Sequence, residues 1–226
     1  IAGLMKKYKV DVVEGEAKVL RNSQVEINGA THEATDILLC TGSSPAIPPI
    51  PGVDLEHVVD SSGILLRETL PNHLVVVGGG VIGCEFACMY ASVGVQVTVL
   101  EAMPEICPNL DPEVSASLRE GLAKKGVTFN LGAKVESISA DKVSYAHDSG
   151  SNELEADLVL VATGRRPNTQ NLGLEELGLD IDDRGGVRVD NRGATNIPGL
   201  WAAGDVTGQA WLAHAASRMA EVVVNN

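Results

Sequence analysis

The stretch VVVGGGVIGCE, residues 75–85, constrains the fold of this chain more than any other. The unbroken apolar run HLVVV (73–77) reads as a strand buried on both faces, since a half-exposed strand would place polar residues at alternate positions. Three glycines interrupt it. VIGCEFACMYASVG (81–94) then carries apolar residues at helical spacing and closes on Gly94 as a C-terminal cap. A second strand, VQVTVLE (95–101), is followed by DPEVSASLREGLAKKG (111–126), an amphipathic helix with Asp111 as cap, Pro112 in its first turn and Gly126 at its end. Strand, helix, strand, helix in this order predicts an α/β fold with a Rossmann-like unit.

The glycines occupy a chemically specific position. Gly78-x-Gly80-x-x-Gly83 leaves a strand and opens a helix, the context in which a dinucleotide pyrophosphate is cradled. The first glycine allows a tight turn, the second lets backbone approach the phosphates, and the third lets helix and strand pack closely. The helix N-terminus points free N–H groups at the ligand. Gly78, Gly79, Gly80, Val81, Ile82 and Gly83 are therefore candidate cofactor contacts. Glu101 ends the second strand, where a carboxylate can take the ribose hydroxyls of an adenosine and repel a 2′-phosphate. EAMPE (101–105) offers no arginine to receive such a phosphate, so NAD is expected rather than NADP.

Composition narrows the partners. A net charge of −13 argues against nucleic acid and anionic membranes. No apolar run approaches the roughly 18 residues of a membrane span. Cys40, Cys84, Cys88 and Cys107 show neither a disulfide framework nor zinc spacing, and suit a reducing cytoplasm and packing roles. His32, His57, His73, His147 and His214 are scattered and suggest no metal set.

The flanks differ from the middle. Residues 10–29 read as short strands with Asn-Gly and Gly turns, 36–40 as a buried strand, and PAIPPIPGVD (45–54) as an extended connector. The pattern predicts a β-rich lead-in over 1–70, a dinucleotide-binding domain over 71–194 and a returning strand and helix over 195–226. That returning pair is expected to lack its main sheet partner and to expose Leu200 and Trp201, through which the chain could dimerise. ILLCTGSSP (37–45) and LVLVATGRRPN (158–168) repeat one device, a buried strand ending in Thr-Gly, and TNIPGLWAAGDV (195–206) adds a third strand-end turn. Carboxylates and glycines at strand ends face ligand clefts in α/β sheets, but this alone does not name the ligand.

Taken together, GGGVIGCEFA, Glu101, the two Thr-Gly turns and TNIPGLWAAGD resemble the pyridine nucleotide–disulfide oxidoreductases, over essentially the whole chain. VTVLEAMPEICPNLDPEV, ATGRRPN and GLDIDDRGGVRVD resemble the dihydrolipoamide dehydrogenase branch. The resemblance implies an NAD fold inserted into an FAD fold that is incomplete here. It implies that Asp205 meets the flavin ribityl chain, Ala213 the isoalloxazine ring and Ala17 the FAD adenine, with Thr41 and Gly42 beside the FAD. Glu85 would lie near the nicotinamide and Val135 on the adenosine side. Ala162, Thr163, Gly164 and Arg165 would form the turn beside the nicotinamide half.

The resemblance also says what these residues lack. The family carries an N-terminal Gly-x-Gly-x-x-Gly for FAD, a Cys-x-x-x-x-Cys redox pair and a C-terminal His–Glu couple, and none is present. Beginning on Ile1, the chain is expected to be a middle piece of a longer enzyme, inactive alone. The parent would be a homodimer passing electrons from lipoyl domains of 2-oxoacid dehydrogenase or related complexes, through a cysteine pair and FAD, to NAD(H). NADH oxidase, coenzyme A-disulfide reductase and mercuric reductase remain open within the family, as does a non-catalytic NAD-binding module outside it.

Overall fold

A computed structural model describes residues 2–148 and 150–226. Two compact units form, one from the residues up to Ser44 together with Arg166–Asn226, the other from Pro45–Arg165. The second is therefore inserted into the first along the chain.

The first unit opens with α1 (Ala2–Lys7) and an antiparallel meander, β1 (Ala17–Leu20), β2 (Gln24–Ile27) and β3 (Ala30–Glu33). Asn28 and Gly29 join β2 to β3 with φ of 51° and 82°, the left-handed pair that matches the twist of a tight hairpin. β4 (Ile37–Leu39) and β5 (Ser43–Pro45) lead to the unit boundary.

The inserted unit holds β6 (Val58–Val59), β7 (His73–Val77), α2 (Val81–Ser92), β8 (Gln96–Glu101), α3 (Pro112–Ala123) and β9 (Val127–Leu131), then β10 (Lys134–Ile138), β11 (Lys142–His147), β12 (Gly150–Glu155) and β13 (Leu158–Val161). Five of these strands make a parallel sheet in the order β6-β13-β7-β8-β9. The two faces of β7 serve different cores, as its period of two requires. Leu74 and Val76 pack with Cys84, Ala87 and Tyr90 of α2 and Leu122 of α3. Val75 and Val77 pack with Ile138, Val143 and Tyr145 of the antiparallel β10-β11-β12 sheet. Three layers result, helices, parallel sheet and antiparallel sheet. Burying each such Val or Leu side chain contributes about 1.5–3 kcal/mol. Asp111 caps α3 by accepting the Glu113 N–H at 2.9 Å, with Pro112 at the first helical position, as its sequence predicts.

The chain returns through β14 (Arg165–Pro167), α4 (Leu174–Leu177), β15 (Leu200–Ala202) and α5 (Ala213–Val224). One expectation changes here. The returning strand has a partner: β15 pairs in parallel with β4, Leu200 opposite Ile37 and Ala202 opposite Leu39. Leu200 is only 3% exposed, among Val19, Leu39, Leu174, Leu179, Val187 and Val206, and the Trp201 indole N–H donates to Asp36 at 2.9 Å. The compact units divide along the chain at 44/45 and 165/166. β6 adds an edge to the parallel sheet, which ties 45–70 to the inserted unit. Leu174, Leu179 and Val187 supply the other unit's core, which ties 166–194 to it.

Candidate functional site

Strand order marks a switch point in the inserted unit. From β7 the chain moves to β8 and β9 on one side, and β13 lies on the other. Ligands in such sheets bind at the carboxyl ends of strands where the order reverses, here between β7 and β13. Gly78, Gly79 and Gly80 leave β7 at that point. Gly78 has φ 105°, and a Cβ there would stand 2.6 Å from the Ala162 carbonyl oxygen after β13. A Cβ on Gly83 would strike the Gly78 carbonyl. Both glycines are thus required by protein packing.

Gly80 is different. It is the N-cap of α2 at φ −70°, and a Cβ on it would meet nothing within 4 Å. No protein neighbour explains a glycine there, and the open space leaves room for a ligand to approach the backbone. α2 has no acidic residue in its first turn and no side-chain cap, so the N–H groups at Val81, Ile82 and Gly83 remain oriented toward the switch point.

Glu101 ends β8 and is 8% exposed. One carboxylate oxygen accepts the Gly79 N–H at 2.5 Å and the other the Met103 N–H at 2.7 Å. A carboxylate has about four lone-pair sites, so these bonds orient Glu101 and leave acceptors for a ribose diol. Glu105, in the loop after it, is held by Arg119 of α3 through contacts of 2.9, 3.2 and 3.1 Å. The Arg119 hydrogen bond keeps the Glu105 carboxyl below its ordinary range.

The remaining candidates in this unit divide by position. The Ala162 N–H donates to Val77 at 2.8 Å, and Thr163 Oγ1 donates to the Ala46 carbonyl at 2.8 Å. Gly164 accepts the Ala46 N–H at 2.9 Å, so 162–164 form a braced turn beside Gly78. Arg165, half-buried, follows it. Glu85 is exposed on α2, five residues beyond Gly80. Val135 lies on β10, packed against the β7–β8 face, just after Ala133, whose N–H donates to Glu101 O at 2.9 Å.

In the other unit, Thr41 and Gly42 follow β4 and Asp205 lies in a 3-10 turn, Gly204–Thr207, after β15. Asp205 accepts the Ser43 hydroxyl at 2.6 Å, which joins the ends of these paired strands. Asn168 clasps the Thr41-Gly42 turn: its carbonyl accepts Thr41 Oγ1 at 2.6 Å, its side-chain amide donates to the Thr41 carbonyl at 2.9 Å, and its backbone N–H donates to Gly42 at 2.9 Å. α5 packs on the Gly204–Thr207 turn, with exposed Ala213 as its first residue. Ala17 opens β1 in the separate antiparallel sheet. Nothing local in the Thr-Gly motifs that contain Ser43 and Asn168 signals these roles. Only the pairing of β4 with β15 reveals what Ser43 does.

Residues 1–220 match a family described as pyridine nucleotide-disulphide oxidoreductase. The chain belongs to this family. Its members are oxidoreductases of the flavoprotein disulfide reductase kind. Dihydrolipoyl dehydrogenase 3 of Pseudomonas putida is 41% identical over 94% of the chain and 48% of its own length. Dihydrolipoyl dehydrogenase of Acholeplasma laidlawii is 37% identical over 96% of the chain and 65% of its own length. The solved HOCl-induced flavoprotein disulfide reductase RclA from Escherichia coli superposes with a TM-score of 0.89 at 33% identity, covering 99% of this chain and 53% of that one. The chain thus spans about half the length of most relatives it matches. Among the described residues, no helix is long and apolar enough to cross a membrane.

Proposed function

We propose that the inserted unit binds NAD(H) at the 78–83 turn, and that the enclosing unit supplies part of an FAD site from Thr41, Gly42, Asp205, Ala213 and Ala17. Together they serve a cytoplasmic dihydrolipoyl dehydrogenase. The observation that carries the reading is the open space over Gly80, at a strand-order switch point and a helix N-terminus. When bound, the two dinucleotides supply hydride and electron transfer. The protein groups bind and orient: the α2 N-terminus takes the pyrophosphate, Glu101 takes the ribose diol, and the braced 162–164 turn lines the nicotinamide side with Arg165 and Glu85. Val135 lines the adenosine side.

Dithiol chemistry needs a reactive cysteine pair. The 226 residues contain no Cys-x-x-x-x-Cys, so oxidation of dihydrolipoyl groups is not expected of this chain by itself. The likeness to RclA favours a second reading in which the disulfide substrate is not lipoyl, since none of the proposed contacts here touches that substrate. The whole protein is read as a homodimer, taking electrons from lipoyl domains in the first reading. Titration of the purified chain with NADH and NADPH, beside a flavin absorbance scan and a dihydrolipoamide assay, tests the proposal. Saturable binding of NADH, tighter than NADPH, is expected. Absence of nucleotide binding overturns it.

A further inference from the structure

Two buried thiols sit directly behind the glycine turn, and the proposed function uses neither. Cys84, in the first turns of α2, is 5% exposed and Cys107, in the loop between β8 and α3, is 4% exposed. Their sulfurs lie 4.0 Å apart. Both face one acceptor, the Gly79 carbonyl, at 3.4 Å from Cys84 and 3.7 Å from Cys107. That same carbonyl accepts the Cys107 backbone N–H at 2.9 Å. The sequence alone gives both cysteines packing roles. The fold instead brings together two residues that are 23 apart.

The backbone gives a second, independent observation. Cys107 has φ 45°, a left-handed conformation that a residue with a side chain adopts at a cost. It is held there by its N–H bond to Gly79 and by its carbonyl, which accepts the Leu110 N–H at 2.9 Å and the Ser115 hydroxyl at 3.2 Å. Glycine or asparagine suits such a position better. The cysteine at this position is therefore not explained by backbone needs, and its sulfur points at the other thiol.

We propose that Cys84 and Cys107 are an oxidisable dithiol, a modification site for hydroperoxides, whose disulfide weakens dinucleotide binding at the adjoining turn; the second half rests on the proposed nucleotide site. In the first step one sulfur attacks the peroxide. The O–O bond breaks, the thiol proton leaves with the departing oxygen as water, and a sulfenic acid remains. The second sulfur then attacks the first. The S–S bond forms, the S–O bond breaks, and the second thiol proton leaves with the hydroxyl as water. Two thiols are oxidised and one hydrogen peroxide is reduced to two waters.

Closing a 4.0 Å gap to the bonded separation of about 2.0 Å draws the 103–107 loop toward α2. It also removes both S–H groups from the Gly79 carbonyl. The peptide between Gly79 and Gly80 is where the pyrophosphate is proposed to lie, so the disulfide distorts the turn from behind. Burial pushes both thiols up, Cys84 to about 12; at Cys107 the hydrogen bond with Cys84 opposes this in part, while the carboxylates of Glu101 and Glu105 raise both. The pair therefore stays reduced at rest and reacts when the loop opens, with exposed Met103, Pro104 and Pro108 on either side of it.

The test uses the full chain carrying Cys40→Ser and Cys88→Ser, so that only the two buried thiols remain. After treatment with hydrogen peroxide, peptide mapping without reductant should recover a Cys84–Cys107 cross-link. NADH affinity should fall at least about fivefold and return on adding dithiothreitol. Adding Cys107→Ser must abolish the peroxide effect relative to that variant's own untreated affinity. Persistence of both free thiols under conditions that oxidise Cys40 in the unsubstituted chain overturns the proposal, as does a cross-link that leaves NADH affinity unchanged. If the reduced chain binds no NADH, the nucleotide site and its coupling to the dithiol both fall. The peptide map still decides the disulfide.

Discussion

Glu101 and Gly79, 22 residues apart in the chain, are joined by a hydrogen bond of 2.5 Å from the glycine N–H to the carboxylate. The end of β8 thereby holds the glycine turn, and the residue proposed to select the nucleotide also shapes that turn. Both functions fail together in a Glu101→Ala variant. Two backbone N–H groups, of Gly79 and Met103, lose their acceptors. A loss of about 1–3 kcal/mol is expected in NADH binding, with a lower melting temperature. NADPH should lose less or gain, since the charge opposing its 2′-phosphate is gone. Fluorescence titration of both nucleotides checks this, and equal losses for the two would sink the assignment of Glu101.

Gly80 and Gly83 should respond differently to a single methyl group. At Gly80 the Cβ meets no protein atom, so Gly80→Ala should melt with the parent yet lose NADH binding by more than about tenfold, because the methyl occupies phosphate space. At Gly83 the Cβ collides with the Gly78 carbonyl, so Gly83→Ala should lower the melting temperature as well. Binding that survives in Gly80→Ala would mean the switch point is not a phosphate site.

These contrasts show what the sequence made legible. β7, α2, β8 and α3 are visible from periodicity and caps, because each is decided by neighbours within a turn or two. Asp111 as a helix cap and Gly78 as a tight turn are legible for the same reason. The pairing of β15 with β4 joins Leu200 to Ile37, and no local pattern encodes a parallel partner so far along the chain. The buried state of Leu200 and the Ser43–Asp205 bond were hidden with it. The two-residue strand Val58–Val59 is too short to carry a period, so its place at the edge of the parallel sheet was hidden as well. Cys84 and Cys107 read as core residues, which they are; only the fold shows that they touch.

Arg119 should support the loop on the nucleotide side of β8. Its hydrogen bonds depress the folded pKa of Glu105 below the ordinary 4.5. A depressed carboxyl contributes its stability fully above the unfolded value, and that contribution is lost as pH falls through the folded value. The pair is partly exposed, so the contribution is at most about 1 kcal/mol. Arg119→Ala should weaken NADH binding slightly at neutral pH and flatten the fall in melting temperature below pH 4.5. Melting curves of parent and variant that stay parallel through the acid range would contradict this role.

Flavin binding decides how much of the second site these residues can form. Asp205 is half-buried and oriented by Ser43, and α5 starts eight residues later with Ala213. These groups are proposed to meet a ribityl chain and ring, but the chain has a single Gly-x-Gly-x-x-Gly, and it lies in the inserted unit. The fixed N–H donors for an FAD pyrophosphate are therefore not among these residues, and each such charge-assisted bond is worth about 1.5–3 kcal/mol. Losing two of them moves a tight complex by roughly two to four powers of ten in Kd. The purified chain should be colourless and should take up added FAD weakly. Asp205→Ala should remove the remaining affinity while leaving NADH binding intact, because the two residue sets lie in different units. Equilibrium dialysis against FAD, with NADH titration alongside, separates the outcomes. A yellow preparation, or FAD uptake unaffected by Asp205→Ala, would overturn the assignment of this half-site.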